Sequence, residues 1–329
     1  CMIFKMNVIR TLNEISKNDF KQTVLRMILN IENAQFPVKD ENVDININMY
    51  AGICFDENRK LEKAAMALDQ AKKDKKELVI YTNKENTKDI HLKNLAMVNK
   101  LIKALNNDAM VVYYQGIVDY DEKIHKYEAL IRMKDQDTVL SPYLFLELSK
   151  RTKHYSRITQ FVLNEVFNKV EKMDCSLSIN LSAEDILNID TISLIMERMN
   201  RCTRPELIVF ELVESDNLYN IPEIDAFIQY IKSMNSKIAI DDFGTGYSNF
   251  SYMMKIEPDY LKIDGSLIKN LDTDKNAKKI VKTIINFAKK LGIKTIAEYV
   301  HSREIFEICR NLGIDEFQGY YFSEPNELP

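Results

Sequence analysis

Short apolar runs alternate with amphipathic stretches from about residue 110 to the end of the chain. The eight runs are, in order, MVVYYQGIV, KYEALIR, SLSINLS, LIVFELVE, KIAIDD, DYLKID, KTIAEYV and DEFQGYY. Between the second and third runs, SRITQFVLNEVFNKVEKM carries apolar residues at helical spacing: Ile158, Phe161, Val162, Val166 and Phe167. Later, NAKKIVKTIINFAKKLG predicts a helix that Gly292 caps. The chain therefore predicts strands and helices in alternation.

This alternation predicts a (β/α)8 barrel. The first two runs are typical of a hairpin, and the later strand–helix repeats predict parallel strands buried on both faces. Eight strands over roughly 220 to 240 residues fit a fold that typically takes about 250 residues. An open doubly wound sheet is the competing fold, but no G-x-G-x-x-G follows any of the runs.

The first 90 residues have a different pattern. DININMYAGICF alternates as a strand, KLEKAAMALDQAKKD predicts a helix, and ELVIY predicts another strand. A helical stretch, TKDIHLKNLAMVNKLIKALNNDA, connects this region to the barrel pattern. We place the boundary at 88, which gives an α/β region over 1–88 and a barrel over 89–329.

Most of the predicted strands carry a polar side chain at or near their carboxyl end. A single such residue usually caps a turn, but seven strands share the feature, and the carboxyl ends of barrel strands meet at one mouth. The residues are Glu128, Asn180, Glu211, the pair Asp241 and Asp242, Lys262, Glu298 and Gln318. Adjacent aspartates repel each other unless a cation lies between them. Oxygen ligands favour Mg²⁺ or Mn²⁺, and none of the four histidines is paired at ligand spacing.

Composition narrows the class of protein further. Apolar residues make up 46% and charged residues 29%, with a net charge of −4, which predicts a folded protein without affinity for DNA, RNA or anionic lipid. No run approaches 18 consecutive apolar residues, so no membrane segment is expected. Five scattered cysteines without a CxxC pair indicate a reduced, cytoplasmic chain. Because it begins at Cys1, we expect a fragment of a longer sensor protein, with a membrane-bound parent as one alternative.

The motifs of the second region resemble those of the EAL-domain cyclic di-GMP phosphodiesterases. YEALIR at 127–132 matches the signature, and YYQGIVD, SINLS, FELVES, DDFGTGYSNFSYM, YLKIDGSLI, IAEYV and FQGYYFSEP occur in family order over 110–325. The resemblance implies a TIM-like barrel with one antiparallel strand, and hydrolysis of cyclic di-GMP to linear pGpG by two Mg²⁺ or Mn²⁺ ions. It also implies a homodimer through the barrel, coupled to the metal site by the loop after Asp242.

The resemblance also implies a role for each candidate residue. One ion would be held by Glu128, Asn180, Glu211 and Asp241, and the other by Asp241, Asp242 and Glu298. Lys262, Glu298 and Gln318 would act on the water or the attacked phosphate, with Glu298 a candidate for both ligand and general base. Substrate contacts would come from Gln115, Leu130 and Arg132, and Glu214 would stabilise the loop after the aspartate pair by hydrogen bonding.

Four positions depart from the family pattern. Gly116 stands where proline is usual, Met133 where tryptophan is common, and AEYVH replaces A-E-G-V-E, so that Tyr299 and His301 take the places of glycine and glutamate. The loss of the second glutamate puts the full rate in doubt.

The first region resembles the C-terminal part of a GGDEF domain. It lacks the GGDEF signature, so we expect no cyclase activity, and a generic α/β remnant is an equal alternative. Two other functions compete with hydrolysis in the second region. One is a catalytically silent cyclic di-GMP receptor, and the other is a metallo-phosphodiesterase for a different substrate.

Overall fold

The computed structural model describes residues 14–32, 36–37, 44–45, 49–55, 60–81, 87–150, 152–213, 221–244 and 250–328. Contacts within the chain divide it into two compact units, Cys1–Leu92 and Lys93–Pro329. In the described part of the chain, no helix is both long and apolar enough to cross a bilayer.

The first unit contains a parallel strand pair connected by a helix. Its described elements are α1 (Glu14–Glu32), β1 (Phe36–Pro37), β2 (Asp44–Ile45), β3 (Ala51–Ile53), α2 (Lys60–Lys73) and β4 (Leu78–Ile80). Strands β3 and β4 are parallel, as the helix between them requires. Gly52 lets β3 approach α2 closely, because a Cβ atom there would lie 2.2 Å from the Ala64 carbonyl oxygen.

Helix α1 was missed by the sequence prediction. Its apolar residues do not form a single stripe: Ile28 is buried, whereas its neighbours Met27 and Leu29 are more than 40% exposed. Without one apolar face, the 3.6-residue period that predicts a helix is weak. Helix α3 (Thr87–Asn106), which was predicted, spans the boundary between the two units.

The second unit contains nine further strands. They are β5 (Met110–Val118), β6 (Ile124–Asp135), β7 (Thr138–Leu140), β8 (Ser176–Leu181), β9 (Ile208–Val213), β10 (Lys237–Phe243), β11 (Tyr260–Ile263), β12 (Lys294–Ala297) and β13 (Glu316–Gln318). Its helices are α4 (Leu146–Lys150), α5 (Tyr155–Val170), α6 (Ala183–Leu187), α7 (Ile189–Arg201), α8 (Pro222–Ser233), α9 (Phe250–Ile256), α10 (Gly265–Ile268), α11 (Lys275–Leu291) and α12 (Arg303–Leu312).

Eight of these strands form a closed barrel. Their order is β5-β13-β12-β11-β10-β9-β8-β6, and pairing of β5 with β6 closes the ring. Strand β5 is antiparallel to both of its neighbours, whereas the other neighbouring strands are parallel. The eight apolar runs correspond to these eight strands. The predicted TIM-like barrel with one antiparallel strand is therefore confirmed, and β7 extends it as a short strand beside β6.

The helices pack their apolar faces against the outside of this barrel. Helix α5 buries Ile158, Val162 and Val166, which were among the residues predicted at helical spacing. Helix α11 ends as predicted at Gly292, which has a left-handed φ of 72°. The Gly292 amide donates hydrogen bonds to carbonyl oxygens of the last helical turn. The strands are thus buried on both faces, and their carboxyl ends support the candidate site.

Candidate active site

Four carboxylates surround the ammonium group of Lys262 at the mouth of the barrel. Lys262 Nζ lies 2.6 Å from Glu211 Oε2, 2.8 Å from Glu298 Oε1, 3.0 Å from Asp241 Oδ1 and 3.4 Å from Glu128 Oε2. The side chains of Lys262 and Glu211 are fully buried. The strand ends that were predicted to converge therefore do so around a single lysine.

Alternation along the strands explains how these side chains meet. Residues i and i+2 of a strand face the same side, so Glu128 and Lys126 both point into the barrel from β6. Lys126, Glu316 and Tyr260 form a lower layer, in which Lys126 Nζ lies 2.7 Å from Glu316 Oε2 and 3.3 Å from the Tyr260 ring centroid. Two residues further along the same strands come Glu128, Gln318 and Lys262. The site is thus the next layer of the barrel interior.

The backbone at Asp242 explains how two adjacent aspartates reach one site. Successive residues of a regular strand point to opposite faces, but Asp242 has a φ of 56°, and the register between β10 and β11 shifts between Ile240 and Phe243. The Asp242 amide also donates a hydrogen bond of 3.0 Å to Asp241 Oδ1. This irregularity brings oxygens of Asp241, Asp242 and Glu298 within 4.8 Å of one another.

A second group of oxygens meets the same distance limit. Atoms of Glu128, Glu211 and Asp241 also lie within 4.8 Å of one another, so Asp241 belongs to both groups. Within the described residues, two buried oxygens at this mouth, Glu211 Oε1 and Gln318 Oε1, have no hydrogen-bond partner. A hard divalent cation takes oxygen donors of this kind. The residues present therefore fit a metal centre.

Electrostatics point to the same conclusion. Burial raises the pKa of Glu211 to about 7, an effect that Glu128 and Asp241 strengthen and Lys262 opposes. Burial and the charge of Asp241 raise the pKa of Asp242 to about 6. Burial also raises the pKa of Glu298 well above its ordinary value. Five carboxylates thus face one ammonium group, and this excess of negative charge favours the binding of cations.

Two amide side chains hold Glu128 in place. Asn180 Nδ2 donates to Glu128 Oε1 at 2.6 Å, and Gln318 Nε2 donates to Glu128 Oε2 at the same distance. Gln318 Nε2 also lies 3.2 Å from Gln115 Oε1. Burial would raise the pKa of Glu128, but Lys262 and these hydrogen bonds lower it overall. Gln115 and Gln318 are therefore joined to the carboxylates through one network.

The predicted substrate-side residues lie at the edge of the mouth. Leu130 and Arg132 are half-buried on β6, opposite Tyr113 and Val111 of β5. Burial lowers the pKa of Arg132, against the opposing effects of Tyr320 and Glu128. Arg132 Nη1 donates a hydrogen bond of 2.9 Å to the Ile131 carbonyl oxygen, and its Cζ lies 5.7 Å from the centroid of the Tyr113 ring. Glu214 lies outside the described residues.

One of the departures from the family pattern, Gly116, has a clear structural basis. The Gly116 amide donates a hydrogen bond of 3.0 Å to Ser323 Oγ, and proline has no amide hydrogen for this bond. The Ser323 carbonyl oxygen also accepts a 3.1 Å hydrogen bond from Gln115 Nε2. Ser323 was missed as a site residue, although it lies within the quoted FQGYYFSEP motif. Met133 is buried in the core.

The family comparison agrees with the fold. The EAL domain family matches residues 98–325, so the chain belongs to the EAL domain family. It is 30% identical over 244 residues to cyclic di-GMP phosphodiesterase PdeF of Escherichia coli, a match that covers 71% of this chain and 32% of PdeF. Cyclic di-GMP phosphodiesterase PdeB of Shewanella oneidensis is 26% identical over 305 residues, which cover 88% of this chain and 36% of PdeB. The chain thus spans about a third of the length of these relatives.

Solved structures share the barrel. A MucR phosphodiesterase in complex with c-di-GMP is 27% identical with a TM-score of 0.66, and the match covers 70% of this chain and 97% of that one. An EAL domain protein from Listeria monocytogenes is 29% identical with a TM-score of 0.64, over 70% of this chain and 93% of that one.

Proposed function

We propose that this chain hydrolyses cyclic di-GMP to linear pGpG, with two divalent cations, Mg²⁺ or Mn²⁺, bound at the barrel mouth. The observation that carries the proposal is the pair of carboxylate groups that share Asp241. Membership in the EAL domain family supports it, as do relatives named as cyclic di-GMP phosphodiesterases.

Each residue then has a defined task. Glu128, Asn180, Glu211 and Asp241 would hold one cation, and Asp241, Asp242 and Glu298 the other. Bound divalent cations would lower the pKa of a water molecule and offset charge on the attacked phosphate. Lys262 would add its buried positive charge at that phosphate. Glu298 is the candidate to accept the proton of the attacking water, and Gln318 to orient that water.

Binding of the substrate would use the edge of the mouth. Arg132 presents several N–H donors to a phosphate, and Gln115 is held by Ser323 so that its side chain faces the site. Leu130 would contact the nucleotide through its half-buried side chain. We expect Glu214 to stabilise the loop after Asp242.

The test is a hydrolysis assay with a matched control. Purified protein with Mg²⁺ or Mn²⁺ is incubated with cyclic di-GMP, and the products are separated by chromatography, beside the Asp241→Ala variant. We expect metal-dependent formation of pGpG by the wild type and a loss of several orders of magnitude in the variant. Tight binding without metal-dependent turnover would instead favour a receptor. Turnover of other phosphodiesters alone would favour a different substrate.

We also propose that residues 1–88 derive from the C-terminal part of a GGDEF domain. The parallel β3 and β4 connected by α2 support this. The homodimer through the barrel and the cytoplasmic location within a larger sensor protein rest on the sequence resemblance and composition, and they stay predictions.

A further inference from the structure

Tyr299 lies at the rim of the barrel mouth with a constrained backbone. Its φ is 57°, a left-handed conformation that is uncommon for a bulky residue. Hydrogen bonds fix the chain on both sides: the Glu298 amide donates to the Ile263 carbonyl at 3.1 Å, and the Val300 amide donates to the Gln318 carbonyl at 3.0 Å. The conformation of Tyr299 is therefore imposed by β11 and β13.

The Tyr299 ring is nevertheless open to solvent. Its side chain is 61% exposed, so burial of the ring does not explain a tyrosine at this strained position. Gly265 accommodates the base of the side chain, because a Cβ atom at Gly265 would lie 2.6 Å from Tyr299 Cβ. The His301 ring lies beside it, with 5.6 Å between the centroids and a tilt of 54°. The ring is thus supported at its base and on one side.

The backbone of Tyr299 lies next to the reactive groups. It directly follows Glu298, so the two Cα atoms are about 3.8 Å apart. Glu298 contacts Lys262 and shares a carboxylate group with Asp241 and Asp242. A nucleotide whose phosphate reaches these residues has its base within reach of the rim. Aromatic side chains that are exposed and held in place provide a stacking surface for such bases.

We propose that Tyr299 is a specificity-determining residue that stacks on a guanine base of the substrate, with His301 supporting the ring. This inference rests on the proposed function, because it assumes a guanine dinucleotide at the metal site. The family pattern has glycine at this position, so the contact would be particular to this chain and close variants. The hydroxyl group is not required, since stacking uses the face of the ring.

The test compares Tyr299→Gly with Tyr299→Phe. Glycine tolerates the positive φ, so the first variant removes the ring without straining the backbone, while the second keeps the ring and removes only the hydroxyl. Steady-state kinetics with Mn²⁺ are measured for cyclic di-GMP, and the affinity for Mn²⁺ alone is measured by isothermal titration. We expect Tyr299→Gly to raise KM for cyclic di-GMP about 5-fold or more with little change in kcat. Tyr299→Phe should behave as the wild type.

The other outcomes are equally decisive. The affinity for Mn²⁺ should be the same in all three proteins, because Tyr299 belongs to neither carboxylate group at the mouth. A loss of Mn²⁺ affinity in Tyr299→Gly would overturn the inference, since that variant would then act through Glu298. An unchanged KM in Tyr299→Gly, or an equal rise in Tyr299→Phe, would overturn the inference. If the wild type binds cyclic di-GMP without turning it over, the proposed function fails, and Kd replaces KM. The same weakening in Tyr299→Gly would then support the stacking contact, and an equal Kd, or no binding by the wild type, would overturn it.

Discussion

Lys126 is a buried lysine directly beneath the candidate site. It is 1% exposed and pairs with Glu316 in the layer of the barrel that supports Glu128, Gln318 and Lys262. Burial lowers the pKa of Lys126, and the charge of Glu316 opposes that shift. Such a pair is costly to bury, but removal of one partner leaves an uncompensated charge. We therefore expect this pair to make the free energy of unfolding depend on pH in the acidic range.

The Glu316→Gln variant tests this expectation. Burial alone would raise the pKa of Glu316, but a hydrogen bond with His125 and the charge of Lys126 hold it below its ordinary value. The ionised Glu316 therefore stabilises the folded protein at any pH above its unfolded-state pKa. This stabilisation is lost as the pH falls through the lower pKa that Glu316 has in the folded protein. We expect Glu316→Gln to lose about 3 kcal/mol in the free energy of unfolding near pH 7, and less at acidic pH. Urea unfolding at several pH values measures this.

Two controls distinguish the loss of the buried Lys126–Glu316 pair from the loss of any negative charge. The Glu327→Gln variant removes an exposed ion pair with Lys134, and we expect a much smaller loss in the free energy of unfolding than in Glu316→Gln, because solvent screens exposed pairs. The double variant Lys126→Met, Glu316→Gln removes both charges and should recover part of the stability. A pH-independent loss in Glu316→Gln would contradict the account.

The carboxyl ends of the last two barrel strands depend on one glycine. Gly319 follows Gln318 at the end of β13, and a Cβ atom there would lie 2.0 Å from the Val300 carbonyl oxygen and 2.4 Å from its amide nitrogen. Backbone atoms cannot move aside as a flexible side chain can. Gly319 therefore permits the close approach that places Gln318 on Glu128 and fixes Tyr299.

We expect Gly319→Ala to destabilise the barrel by about 3 kcal/mol and to reduce turnover, because Gln318 and Tyr299 both shift. Gly292→Ala is the matched control, since Gly292 has a φ of 72° but no atom within 4 Å of a new Cβ. That variant should cost only about 1 kcal/mol, from backbone strain, and should retain turnover. Urea unfolding and hydrolysis assays on both variants measure this. Equal effects in the two would mean that the contact with Val300 is unimportant.

The sequence predicted the barrel strands better than it predicted helix α1. The barrel strands were predictable because burial on both faces gives continuous apolar runs with a polar residue at the end. Helix α1 was not, because its exposed Met27 and Leu29 obscure the period. The left-handed conformation of Asp242 was also unpredicted, since the adjacent aspartates indicated a cation but not how both side chains turn to one face.

The candidate site depends on contacts between distant parts of the chain. The motif order predicted which residues converge, and the geometry agrees for Glu128, Glu211, Asp241, Lys262 and Glu298. The role of Ser323 could not be predicted, because its hydrogen bond with Gln115 joins residues 208 positions apart. The position of the Tyr299 side chain depends likewise on Gly265, the first residue of α10, because a Cβ atom there would lie 2.6 Å from Tyr299 Cβ. Three-dimensional packing, and not local pattern, decides such contacts.

Across the whole molecule, the barrel brings five carboxylates to one mouth where a single lysine opposes them. The central claim is that this cluster holds two divalent cations with Asp241 between them. Isothermal titration of Mn²⁺ into protein treated with a chelator tests it most directly, with Asp241→Asn as the variant that keeps the shape and removes the charge. The account predicts two Mn²⁺ ions per chain for the wild type and a loss of at least about 10-fold in affinity at both positions for the variant. Binding of only one ion or fewer per wild-type chain, or equal binding by the two proteins, would contradict it.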